Sequence, residues 1–116
     1  MIKKGSLGIP LRIATGFVMS GSTSLTMIIT KPDGTKLTKT SGAGEVSAPA
    51  VALVDDDDLG NVAASSYFEY TNSINDYDVT GLSTDDNPWK VCGIYVDGVQ
   101  TLPVSPVPFT VLEGCD

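Results

Sequence analysis

Histidine is missing altogether from this sequence. With it go the Ser-His-Asp and Cys-His nucleophile arrangements, the histidine general base and every histidine-containing zinc site. Cysteine is scarce: Cys92 and Cys115 stand alone, the second of them next to the last residue, where disulfide geometry is seldom held. A disulfide scaffold is therefore not indicated. Positive charge is also short, with 7 basic against 14 acidic residues and a formal net charge of -7. The summed field repels phosphates, and nucleic-acid readers carry the opposite sign, so no direct nucleic-acid binding is expected. No apolar run approaches the roughly 20 residues that cross a bilayer, which leads us to expect a soluble chain with no membrane partner. Met1 to Lys4 carries the charge of a leader's first segment, but Gly8, Pro10, Arg12 and Gly16 interrupt the apolar stretch behind it. The segment reads instead as the approach to a first strand.

What is present is alternation. Leu25, Met27 and Ile29 share one parity while Ser24, Thr26 and Thr30 take the other, the pattern of a half-buried strand. Lys31, Pro32, Asp33 and Gly34 then give a turn: Pro32 presets the backbone, Asp33 suits the next position and Gly34 takes a left-handed conformation. Leu7, Ile9, Leu11 and Ile13 alternate with Gly8, Pro10, Arg12 and Ala14, a strand that Pro10 confines to a sheet edge or a bulge. Residues 41–61 form a less regular insert, with a short strand at Val51 to Val54 leading into the acidic run Asp55 to Asp58. Val62 to Thr71 is an aromatic strand in which Phe68 and Tyr70 oppose Tyr67 and Glu69 in parity. Asn72 to Pro88 is rich in residues that compete with regular ladders and reads as a long loop. Trp89 to Val96 is apolar on both parities, as a central strand is. Asp97 and Gly98 carry the two-residue signature of a hairpin into Val99 to Val104. Ser105 to Pro108 is too proline-rich for an inner strand, and a last strand spans Phe109 to Leu112.

Seven or so short strands with no useful amphipathic helix point to one all-β domain over residues 1–116, an antiparallel β-sandwich with an open barrel as the second arrangement. Its expected core is Leu11, Ile13, Leu25, Met27, Ile29, Leu37, Phe68, Trp89, Val91, Ile94, Phe109 and Val111.

Chemistry is sparse. Asp55, Asp56, Asp57 and Asp58 are the sharpest metal candidates, but a calcium loop needs an oxygen ligand at its fifth position and a bidentate Glu at its twelfth. Here those positions hold Leu59 and Ser66, so a solvated acidic loop is the stronger reading. Glu45, Glu69 and Glu113 are the only glutamates, and nothing marks a cleft that would desolvate a catalytic pair. No catalytic residue and no cofactor is expected. Trp89 opens an apolar strand and reads as a core anchor before a sugar-stacking platform. Tyr67, Tyr70, Tyr77 and Tyr95 suit either an interaction surface or the rim of a sandwich.

The progression Gly8 to Leu11, Thr15-Gly16, Ser20 to Leu25, Lys31 to Thr35, Trp89 to Val91 and Val107 to Val111 resembles small tailed-bacteriophage virion proteins. It is similar in particular to the immunoglobulin-like modules of neck proteins and of the N-terminal part of baseplate upper proteins. In that family a strand ends in Lys-Pro-Asp-Gly, and a late Trp strand leads to a closing Phe-x-Val strand. The resemblance covers most of the chain except Ser41 to Asn61. It implies an immunoglobulin-like sandwich of about seven strands and a non-enzymatic structural or adaptor role in the virion. The protein would be made in the host cytoplasm and docked in multiple copies on a ring of the neck, tail or baseplate, with fibre anchoring as a further role. The resemblance brings no catalytic residues. A carbohydrate-binding, adhesin-like sandwich and a capsid decoration protein are the alternatives that fit the same composition.

Overall fold

A computed structural model describes residues 2–19, 24–98 and 100–114. Its strands are β1 (Ile2–Lys3), β2 (Pro10–Ala14), β3 (Ser24–Thr30), β4 (Lys36–Thr40), β5 (Val46–Ser47), β6 (Leu53–Asp56), β7 (Gly60–Val62), β8 (Tyr67–Thr71), β9 (Trp89–Asp97), β10 (Gln100–Phe109) and β11 (Val111–Leu112). No helix occurs among the described residues. Two antiparallel sheets dominate, one ordered β10-β9-β3-β4 and the other β2-β8-β5, while β6 and β7 form a separate hairpin and β1 pairs in parallel with β11. The eleven strands among the described residues exceed the expected seven because four of them have only two or three residues.

The Lys31–Gly34 turn forms as its residues require. Gly34 sits at φ +92°, its N–H meets the Lys31 carbonyl at 2.9 Å, and the Asp33 carboxylate accepts the Thr35 N–H at 2.8 Å. That amide holds the Asp33 carboxyl below its ordinary value. The second hairpin differs from expectation. Asp97 pairs with Gln100 and so closes the ladder, leaving Gly98 at φ +55° to open the loop; Val99, expected to begin the returning strand, lies outside the described residues. Past Val104 the register shifts before Val107, and this bulge lets β10 run through the proline-rich segment that we expected to interrupt it. The first strand starts late: Leu7 is exposed, and only from Pro10 does pairing with β8 begin.

Proline keeps two sheet edges closed. Pro10 lies on the outer edge of its sheet, and Pro103 and Pro108 lie opposite Ile94 and Lys90 on the outermost strand of the other. A proline offers no N–H to an incoming strand, so these edges resist strand addition.

The two sheets share one core. From the smaller come Leu11, Ile13, Val46, Phe68 and Tyr70, and from the larger Leu25, Met27, Ile29, Trp89, Val91 and Tyr95. The sheets are in close contact where Gly93 faces the Phe68 ring: a Cβ on Gly93 would lie 2.5 Å from a ring carbon. Trp89 is fully buried, with its ring 5.8 Å from those of Tyr77 and Phe109, and its Nε1–H donates to the Val79 carbonyl at 3.1 Å. Three expected core residues are placed differently. Ile94 is half-buried on the outer parity of β9, because the inner parity is already filled by Trp89, Val91 and Tyr95. Phe109 and Leu37 are only partly buried at the margin of the core.

Truncating Trp89→Ala should cost about 3–5 kcal/mol of unfolding free energy. Gly93→Ala should cost roughly 1–3 kcal/mol, because the buried ring has little room to retreat. Urea unfolding measures both, and an unchanged midpoint for Gly93→Ala would contradict the sheet contact.

Candidate functional site

The acidic run is the turn of the β6–β7 hairpin. Asp56 Oδ2 accepts the N–H groups of Asp58 and Leu59 at 3.1 and 3.0 Å, and its Oδ1 lies 3.2 Å from Arg12. The Leu59 amide above all, with help from the Asp58 amide and Arg12, holds the Asp56 carboxyl below its ordinary value. Asp55 stands at φ +53° and donates its N–H to Asn61. The Asp56 carboxylate is thus committed to the turn and to one ion pair. Among the described residues no three Cys, Asp or Glu side chains converge as a metal site would require. Cys92 is half-buried on β9, and a bridge to Cys115 falls outside the described residues.

Arg12 fastens this hairpin to the outer face of the smaller sheet. Its Nε reaches Glu69 at 2.7 Å while its Nη1 reaches Asp56. Beside it, Tyr67 on the same outer parity is buried and donates its hydroxyl to the Val51 carbonyl at 2.8 Å. The insert at 41–61 therefore acts as a cover for this sheet. A groove of about 450 Å³, lined in part by Ile2, Leu11, Arg12, Asp56, Phe109 and Leu112, runs along the same end. The Arg12 guanidinium in its wall is already paired with two carboxylates.

A second cluster is buried where β4 meets the loop before β9. Lys39 is 7% exposed and Asp76 4%. Lys39 Nζ lies 3.4 Å from Asp76 Oδ1 and 3.8 Å from Glu45 Oε2, and it sits 5.1 Å above the Tyr70 ring. The Tyr70 hydroxyl donates a short hydrogen bond to Asp76 Oδ2. Sequence reasoning missed this cluster. Lys39 shares the parity of Leu37, the one sign that it points inward.

The larger sheet has no comparable cover among the described residues. Its outer parity carries Thr26, Ile28, Cys92, Ile94, Val96 and Pro103 along the middle. Among the described residues of this face the charges are Lys36 and Lys90, with no carboxylate. In a chain of net charge -7, the acids are gathered elsewhere.

All four tyrosines are buried, which overturns their reading as an interaction surface. Tyr70, Tyr77, Tyr95 and Trp89 lie in the core and Tyr67 is covered by the insert, so no Tyr or Trp ring is free to stack on a sugar. No protein-family model, no curated protein and no solved structure matches this chain.

Burial raises the hydroxyls of Tyr67, Tyr70, Tyr77 and Tyr95 above their ordinary value, with Asp76 adding to the effect at Tyr70 and Tyr77. An unfolded tyrosine titrates near pH 10. The unfolded chain therefore releases these protons first, and their contribution to stability is intact below about pH 10 and declines above it. A spectrophotometric titration should show tyrosinate appearing together with unfolding in one cooperative step. Gradual ionisation of several tyrosines in the folded chain near pH 10 would contradict their burial.

Proposed function

We propose that this protein is an immunoglobulin-like, non-enzymatic structural module of a tailed-phage virion, docking in multiple copies through the bare face of its larger sheet. Strand order supports the fold. The immunoglobulin arrangement places B, E and D in one sheet and C′, C, F and G in the other. Here β2-β8-β5 and β4-β3-β9-β10 follow those two orders. The parallel pairing of β1 with β11 sits where a first strand would join the last. The phage assignment rests on the resemblance carried by the Lys31 to Thr35 turn, the late Trp89 strand and the closing Val107 to Val111 segment.

The uncovered face carries the functional reading. The smaller sheet is roofed by the chain's own β6–β7 hairpin, whereas the larger presents an apolar and threonine-rich surface with two lysines. Proline discourages strand addition at the β2 and β10 edges, and docking through this face needs no free sheet edge. Charge favours a second copy as the neighbour, since the acidic hairpin of one subunit complements Lys36 and Lys90 of the next. Such a heterologous contact closes into a ring when its rotation permits.

Ile94→Asp puts a carboxylate in the middle of the proposed contact while leaving the buried parity of β9 intact. It should lower incorporation into assembled particles by about tenfold or more, the effect of roughly 1.4 kcal/mol, with the monomer still folded. Quantitative mass spectrometry of purified particles reads the copy number. Normal incorporation of the variant would overturn the docking face.

A further inference from the structure

The Lys39, Asp76 and Glu45 cluster has more chemistry than an ion pair needs. An amine and a carboxyl group are held together out of water, 3.4 Å apart at their nearest atoms, and they come from an edge strand and a loop distant in sequence. A second carboxylate, Glu45, stands 3.8 Å from the same nitrogen, and the Thr40 amide fixes its other oxygen at 3.3 Å. A phenol, Tyr70, binds the far oxygen of Asp76 and spreads its ring beneath the nitrogen. Desolvation and the Asp76 carboxylate raise the Tyr70 hydroxyl well above its ordinary value, so that it stays a hydrogen-bond donor.

We infer that Lys39 and Asp76 join spontaneously in an intramolecular isopeptide bond, with Glu45 as the proton shuttle and Tyr70 as the donor that polarises the reacting carboxyl group. In the step, Glu45 takes a proton from Lys39 Nζ and passes it to Asp76 Oδ1. The nitrogen lone pair then attacks Asp76 Cγ, forming the C–N bond and placing negative charge on Oδ2, where the Tyr70 hydroxyl meets it. A second proton travels from the nitrogen by the same route, and the Cγ–Oδ1 bond breaks to release one water. The ammonium and carboxylate have become one amide plus water, with no oxidant, metal or activating group consumed. Fixed proximity replaces the activation that such a condensation needs in solution. The product also removes two charges whose desolvation weighs against a buried pair.

The bond would tie β4, an edge strand with no proline, to the loop that carries Tyr77 and Asp78. Lys31 already grips that loop through Asp78 at 2.9 Å. A covalent tie there limits how far the chain can open, which suits a protein built to persist in an assembly. The inference stands independently of the docking face.

The experiment is the intact mass of the purified full chain under denaturing conditions, combined with protease digestion and peptide sequencing by mass spectrometry. The expected chain is one water lighter than its Lys39→Arg counterpart after allowing for the substitution, and digestion yields a branched peptide joining Lys39 to Asp76. Glu45→Gln, checked as folded by circular dichroism, should have the full sequence mass. Asp33-Gly34 and Asp97-Gly98 can each lose water as a cyclic imide, so the site of the loss is decisive. A wild-type chain at full mass, or a water loss mapped to either Asp-Gly pair alone, would overturn the cross-link. Unslowed bond formation in folded Glu45→Gln would overturn the role of Glu45.

Discussion

The contact on which the rest of this structure depends is the Phe68 ring lying on the bare backbone of Gly93. It sets the spacing of the two sheets at the middle of β9, the central strand of the larger sheet. Either a side chain at position 93 or a smaller ring at 68 would change that distance. Met27 is paired beside Gly93 across the β3–β9 ladder, and Ile13 beside Phe68 across β2–β8. Both are almost wholly buried, so the close approach is the centre of a continuous core. Packing at this density tolerates little change in volume.

Much of this was legible from alternation alone. Leu25, Met27, Ile29, Val91, Trp89 and Phe68 lie where a period of two places them, because half-buried strands impose that period directly. The Lys31–Gly34 turn was equally readable, since each residue there serves one local geometric need. The failures have physical causes. Prolines at 106 and 108 suggested an interruption, but a strand at the sheet edge with a bulge tolerates them. The tyrosines suited a rim because their hydroxyls want partners, but the folded chain supplies those partners internally for Tyr67 at Val51 and for Tyr70 at Asp76, and buries the Tyr77 hydroxyl without one among the described residues. Lys39 was the least legible of all. A lysine amid threonines looks solvated until the fold brings Asp76 over it, and nothing local announces a contact so distant in sequence.

The same topology accounts for the uneven distribution of charge. The β6–β7 hairpin carries the acidic run and is pinned by Arg12 to the smaller sheet, so that sheet's outer face is occupied by the chain itself. The larger sheet is left open, and its described outer residues include no carboxylate. An asymmetric molecule of this kind, with one roofed face and one bare face, is suited to stack against neighbours in a single orientation. On the proposed reading, function resides in surfaces held by a rigid core, and no reactive pocket is required.

The whole architecture presupposes that the sheets meet at Phe68 and Gly93. Solution NMR of the labelled chain tests that contact most directly, through nuclear Overhauser effects between the Phe68 ring protons and the Gly93 α protons. Strong cross-peaks are expected, with at least one Gly93 α proton shifted well upfield by the ring current. Gly93 α protons at ordinary shifts, with no cross-peak to Phe68, would contradict it.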